Sequence, residues 1–329
     1  MKYLYPLKLS YITKSPLWGG RRLLDGWGMS AEADTVGEAW MLSVRAKEMS
    51  VIQNGDAAGK TMREYIDEFG PCVIGTAYAG GDFPLLIKLI DACDKLSVQV
   101  HPNDDYAARV ENDRGKTEMW YIVEADEGAE IIYGLKDGMS AEEFRTAVRE
   151  GKLADTMHHC PVHAGETYFI PSGMLHAIGA GILIAEIQQN CDLTYRVYDY
   201  NRRQPDGSLR ALHVKQAMEV VRPFTEAEVN AVRFAADPDA AQNPQEATAN
   251  GVIAACPYFR ARRVSMRQSP VLRATEASFL HLLCVEGDGE LAWQSDRYPL
   301  RRGDSLFLPA GCGEVTLRGE GEVVVSGVV

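Results

Sequence analysis

Long apolar runs are missing from this sequence. No window approaches the ~18 apolar residues that a membrane-crossing helix requires, and no charged N-terminal region leads into an apolar stretch. The expectation is a soluble, cytoplasmic protein with no membrane partner. Paired cysteines are also missing. The seven cysteines, an odd number, are scattered at Cys72, Cys93, Cys160, Cys191, Cys256, Cys284 and Cys312 with no Cys-x-x-Cys spacing. That argues against a disulfide framework or a thiolate metal site, and for buried thiols in a reducing compartment. Basic residues are in deficit, with 34 Lys and Arg against 46 Asp and Glu and a net charge of -12. Nucleic-acid affinity comes mainly from basic patches that displace counterions, so a nucleic-acid partner is not expected. A small anionic substrate in a locally basic pocket remains open.

What is present is ordinary globular composition, 46% hydrophobic and 24% charged, over 329 residues. That length suggests roughly two domains of ~150 residues each, enough to bury a core without covalent staples. Short apolar runs broken by Gly, Pro, Asn and Asp dominate, the spacing of an antiparallel sandwich or barrel. Strands are predicted at Leu85–Ile90, Leu96–Val100, Met119–Val123, Tyr168–Pro171, Leu183–Ile187 and Tyr195–Tyr198. Helices are predicted at Thr61–Phe69, ended by Gly70-Pro71, at Ser140–Val148, and over Arg210–Val221. The second opens with Ser140 followed by Glu143, the capping-box spacing. Phe234–Asn250, rich in Ala, Asp, Asn, Gln and Pro, reads as a linker or long loop. Strand patterns then resume at Phe279–Val285, Glu290–Gln294, Ser305–Leu308 and Glu322–Val325. The boundary falls near residue 240, giving residues 1–240 with helical insertions and an all-β unit at 241–329.

One pattern occurs twice. Gly165, Pro171, Gly173 and His176 are spaced as Gly303, Pro309, Gly311 and Glu314 are. A turn glycine, a strand and a Pro-x-Gly corner suit a barrel strand that ends and crosses over. The pattern resembles the second motif of cupins, jelly-roll barrels whose final His binds a metal; Ala180 stands where they usually carry Asn. Two copies imply a mainly β fold, a bicupin of two jelly-roll β-barrels with helical insertions in its N-terminal part. Because Glu314 replaces the His, the second barrel is expected to hold no metal.

In Leu96–His101, alternation puts Ser97, Gln99 and His101 on one face and Leu96, Val98 and Val100 on the other. Three polar groups on one face mark either a solvated outer surface or a polar site. Gln99, His101, Glu118 and His176 would supply two imidazoles, one carboxylate and one amide oxygen. Such a set suits Zn²⁺ with a position open to substrate. One carboxylate leaves a divalent site with net positive charge, which favours polarising a sugar carbonyl or stabilising an enediolate.

Phe83–Asp91, Leu96–Asp105, Gly115–Tyr121, Pro171–Ala177 and Glu186–Tyr200, with Trp18-Gly19-Gly20 and Gly37-Glu38-Ala39-Trp40 before them, resemble the type I phosphomannose isomerases in order along the chain. The resemblance is narrower to the short bacterial form. It implies a zinc-dependent isomerase of mannose 6-phosphate and fructose 6-phosphate, with one Zn²⁺ per chain on Gln99, His101, Glu118 and His176. It carries an active-site arginine onto Arg196, a lysine onto Lys116 and a pocket carboxylate onto Glu186. It also associates Lys88 and Ser97 with the substrate or its phosphate. The reaction implied passes through an enediol, with its base unassigned.

Arg196 is expected to share a strand face with Tyr198 and Tyr200. His158, His159 and His163 precede a barrel strand and are expected on the surface or in a loop. His213 and His281 are expected to pack or to face solvent, and Arg202 and Arg203 are placed equally in a rim or in the site. Two other readings stand beside the isomerase: another metal-dependent cupin enzyme, and a non-catalytic sugar-phosphate-binding regulator.

Overall fold

A computed structural model describes residues 4–78 and 81–329. The chain forms two compact units. One comprises the N-terminal segment through Thr13, Ala39–Lys88 and Val232–Val329, and the other comprises Lys14–Glu38 and Leu89–Ala231. No described helix is long and apolar enough to cross a membrane.

The second unit is built on two antiparallel sheets. In the first, the strands run in the order Met157–Pro161, Glu130–Leu135, His176–Ile178, Val98–Val100 and Tyr195–Tyr198. In the second, Glu118–Ala125 lies between Thr167–Ile170 and Ile182–Gln189. One face of the first sheet is covered by the helices Ala141–Arg149 and Val214–Val220, with Val98, Val100, Phe144, Leu175, Ala177, Tyr195, Val197 and Ala217 packed in a common core. The expected box at Ser140 forms. Its Oγ accepts from Glu143 N at 3.2 Å, and Glu143 Oε2 accepts from Ser140 N at 2.8 Å. Because Val98 and Val100 take the helix-covered side, Gln99 is turned toward the other sheet. Ser97 and His101 are buried and Gln99 is half-buried, rather than solvated. The polar face of this strand is therefore internal, the inverse of an ordinary core strand.

The other unit carries the sheet Leu7–Lys8, Ser305–Leu308, Leu280–Trp293, Gly313–Gly327, Arg260–Ser265, Val252–Ala255. The separate strands expected at Phe279–Val285 and Glu290–Gln294 are one strand, Leu280–Trp293. Glu322–Val325 likewise lies inside the longer Gly313–Gly327. These strands stay paired through an irregularity between Cys284 and Glu286. Gly287 permits the crossing, since a Cβ there would meet Glu320 O at 1.9 Å. Phe234–Asn250, expected as a linker or long loop, instead holds the helices Pro238–Gln242 and Pro244–Ala249, each with proline in its first turn. Asp237 caps the first by accepting from Ala240 N at 3.1 Å, and Phe234 is buried beside Ala240 and Ala255. Asp104–Val110 is also helical, capped by Asn103.

The two copies of the glycine–proline pattern share a backbone. Gly165 and Gly173 have φ of 89° and 91°, and Gly303 and Gly311 have 89° and 80°, values that favour glycine. Their ends differ. His176 is fully buried, while Glu314 is exposed opposite Arg273 on the neighbouring strand. The interior beside the second copy is filled by Leu282, Cys284, Leu291, Leu306, Leu308, Leu317 and Val325.

Candidate active site

Strand register assembles the site. Across the first sheet, Tyr133, His176, Gln99 and Arg196 stand side by side in one row. On the second, Glu118 pairs with Gln188 and Trp120 with Glu186. Residues directly opposite on paired strands share a face, so a row of donors on one sheet meets a row of acids on the other.

His101, Glu118 and His176 form a buried cluster whose ligand atoms all lie within 4.8 Å of one another, the only such group among the described residues. Glu118 Oε1 is 3.4 Å from His176 Nε2, and Oε2 is 3.4 Å from His101 Nε2. Each imidazole is oriented from behind: His101 Nδ1 donates to Leu193 O at 2.8 Å and His176 Nδ1 to Met174 O at 2.9 Å. With the proton on Nδ1, both Nε2 lone pairs face the carboxylate, the arrangement of metal-ligating histidines. Gln99 reaches the cluster through its amide, with Nε2 3.3 Å from His176 Nε2. A half-turn of that amide would exchange nitrogen for oxygen and offer a fourth donor.

Electrostatics keep these groups in ligand form. Burial, reinforced by the nearby Lys116 charge, lowers the His101 pKa to about 3, and burial lowers that of His176. Both rings stay neutral. Burial by itself would raise the Glu118 pKa, yet the carboxyl is held well below the usual range because the Lys116 ammonium stands 2.8 Å from Oε2. Neither Glu118 oxygen receives a hydrogen bond of good geometry although the residue is 0% exposed. A buried carboxylate short of donors, facing two unprotonated imidazole nitrogens, fits a divalent cation. Lys116 Nζ is also 3.2 Å from His101 Nε2.

Arg196 extends the row on the far side of Gln99. Its Nε donates to Ser97 Oγ at 3.2 Å and its Nη1 to Ala211 O at 3.0 Å, and Ser97 Oγ in turn donates to Gln99 Oε1 at 3.4 Å. Ser97 thus connects the arginine to the Gln99 amide. The expected shared face of Arg196, Tyr198 and Tyr200 is broken by a bulge between Arg196 and Tyr198, and both tyrosines pack against the helix-covered core. Glu186 is buried and accepts from Trp120 Nε1 at 3.0 Å. Lys88 lies in the other unit, buried, with Nζ 5.2 Å from the centroid of the Trp40 ring. Arg202 is tied to Asp199 and donates to Lys95 O at 2.6 Å, whereas Arg203 donates to Gly207 O in its own turn.

The surface histidines stay apart from this centre. His158, His159 and His163 are exposed, and the latter two face Glu130 and Glu166. His281 is fully buried, with Nε2 2.8 Å from Ser305 Oγ. His213 accepts from Arg196 N at 3.3 Å through Nδ1. Residue chemistry alone did not find Trp120 or the carbonyls of Met174 and Leu193. The alternation of polar Glu186 and Gln188 against apolar Ile187 was the available signal for the acid face.

Antiparallel sheets enclosing a buried His–Glu–His cluster place the molecule in the cupin class. The description "Phosphomannose isomerase type I, catalytic domain" matches residues 6–146, and "Mannose-6-phosphate isomerase, cupin domain" matches residues 251–328. The chain belongs to the type I mannose-6-phosphate isomerase family. It is 37% identical to mannose-6-phosphate isomerase ManA of Bacillus subtilis and 36% identical to a mannose-6-phosphate isomerase of Streptococcus mutans, each comparison covering 98% of both chains. The crystal structure of the Bacillus subtilis mannose 6-phosphate isomerase superposes with a TM-score of 0.83 at 32% identity, covering 98% of this chain and 99% of that one.

Proposed function

We propose that this chain interconverts mannose 6-phosphate and fructose 6-phosphate through an enediol, with one Zn²⁺ held by Gln99, His101, Glu118 and His176. The observation that carries the reading is the His101–Glu118–His176 cluster in a chain similar over its whole length to mannose-6-phosphate isomerases. Two imidazoles, a carboxylate and an amide oxygen are zinc donors. Zinc, when bound, supplies Lewis-acid polarisation of the sugar oxygens at C1 and C2.

The chain's own residues do the rest. Lys116 and Arg196 bring positive charge to an acidic protein where an anionic sugar phosphate must settle, offsetting the phosphate or the developing enediolate. Glu186, oriented by Trp120, is the candidate to move a proton between C2 and C1. His101 is a poor base once its Nε2 lone pair is engaged. Ser97 and Lys88 are assigned to substrate binding, Ser97 through its bond to Arg196.

All four ligands lie within residues 1–240, to which catalysis is assigned, and the stretch 241–329 is assigned no metal. Seven free cysteines support a cytoplasmic setting. The test is a coupled assay of mannose 6-phosphate turnover with metal analysis, before and after chelation. Activity that falls with chelation and returns with Zn²⁺ supports the reading. Turnover unaffected by complete metal removal refutes zinc dependence, and absence of turnover in the zinc-replete protein refutes the isomerase.

A further inference from the structure

Three chain segments that carry or orient ligands converge on a residue outside the ligand set. Gln189 ends the strand Ile182–Gln189, one position beyond the pairing of Gln188 with Glu118, and is 6% exposed. Its Oε1 accepts from Thr117 N at 2.8 Å, while its own backbone N donates to Thr117 O at 3.1 Å. Thr117 is the residue between Lys116 and Glu118, so both of its backbone polar groups are held by one glutamine.

The other end of the same side chain reaches the His101 segment. Gln189 Nε2 donates to Asp104 Oδ1 at 3.1 Å, and that oxygen also accepts from Gly115 N at 2.9 Å. Lys116 N donates to Pro102 O at 3.0 Å, so the two segments touch beside His101 itself. A third link leaves from the backbone. Gln189 O accepts from Cys191 N at 2.7 Å, closing the turn that leads to Leu193, whose carbonyl fixes the His101 ring.

We propose that Gln189 is a positioning residue for the metal site, setting Lys116 and Glu118 in register with His101. The inference rests on the zinc reading above. Gln189 is given no contact with substrate or metal. Its amide has both a donor and an acceptor, which is why a side chain with only one of these functions cannot make both bonds. Outer partners that orient ligands set metal affinity, and their loss typically costs roughly ten- to a hundredfold.

The test compares Zn²⁺ affinity, by competition with a chromophoric chelator, in the wild type and in Gln189→Met, which keeps the volume and removes both bonds. Melting curves of the metal-stripped proteins accompany it. Phe144→Leu, in the helix-covered core, is the control for lost stability without a link to Thr117. The expectation is zinc binding weakened roughly ten- to a hundredfold in Gln189→Met, with wild-type affinity retained in Phe144→Leu at an equal or greater loss of melting temperature. Wild-type affinity in Gln189→Met, or an equal affinity loss in Phe144→Leu, overturns the inference.

If Gln189→Met does not fold, Gln189→Glu keeps the acceptor for Thr117 and sets a carboxylate against Asp104. Zinc affinity then falls roughly tenfold or more, because the new carboxylate cannot donate to Asp104 Oδ1, an oxygen that goes on accepting from Gly115 N. Wild-type affinity in Gln189→Glu also overturns the inference. A wild-type chain that binds no zinc refutes the metal reading and this inference together. A zinc-binding wild type with an unaffected Gln189→Met refutes the inference alone.

Discussion

Lys116 and Glu118 form a buried ion pair, Nζ to Oε2 at 2.8 Å, with Lys116 4% and Glu118 0% exposed. Taking two charges out of water costs several kcal/mol per ion before their attraction offsets it, so such a pair is a weak stabiliser. Its value lies in the charge state it imposes: the carboxylate stays ionised among two neutral rings.

Removing a ligand should therefore separate metal binding from folding. His176→Ala takes away one of the proposed donors, and zinc content and turnover should fall together. One zinc per chain is expected in the wild type, because the second pattern ends in Glu314, which is exposed and opposite Arg273 rather than buried among ligands. Metal analysis of both proteins checks this. Undiminished zinc in the variant, or two tightly bound ions per wild-type chain, would contradict the assignment.

Arg196→Ala should leave zinc bound and lower kcat by about a hundredfold, the loss expected for one donor to a developing oxyanion. If the guanidinium instead held the phosphate equally in ground and transition states, KM would rise with kcat unchanged. Since Arg196 also donates to Ser97 and Ala211, a melting curve belongs beside the kinetics. A folded, zinc-replete variant with wild-type kcat removes Arg196 from the chemical step.

Trp120 and Glu186 offer a graded test of the proton-transfer assignment. Glu186→Gln should reduce kcat by roughly a hundredfold or more, the scale of general acid–base contributions. Trp120→Phe removes only the indole donor, which stands 3.0 Å from Glu186 Oε1. It should reduce kcat by a smaller factor with KM little changed. Steady-state kinetics that rank the two the other way would make Glu186 a structural acid.

Acid stability should depend on His281. Burial lowers its pKa to about 3 in the folded chain, below the ordinary value near 6.5 in an unfolded one. The unfolded state therefore binds the extra proton between those values. His281 favours folding above about pH 6.5 and loses that contribution as pH falls toward about 3, by at most ~1.4 kcal/mol per pH unit. His281→Gln should flatten the dependence of denaturant midpoints on pH between about 6 and 4. An unchanged slope would show that His281 titrates alike in both states.

Much of this was legible locally. The Gly165-to-His176 pattern, the Ser140 cap and the alternation through Gln99 each lie within a few residues, and each describes a backbone that the structure adopts. The polar face of Leu96–His101 did not reveal its own direction, because that depends on helices at Ala141–Arg149 and Val214–Val220 covering the opposite face. Phe234–Asn250 lacked periodicity, yet two first-turn prolines and the Asp237 cap make short helices there. In the sequence, Gln189 is one polar residue in the run Gln188-Gln189-Asn190. Its role comes from Thr117 and Asp104, which only strand pairing brings near.

The carbonyls of Met174 and Leu193 fix both imidazoles from behind. Two rings that are already aimed give up no rotational freedom when an ion arrives, because that entropy is lost during folding. On the zinc reading proposed above, loading would require no rebuilding of the strands. The rate of metal exchange would be a matter of passage to the site and of releasing the Lys116 contact, and the metal-free protein would be a template rather than a partly folded precursor.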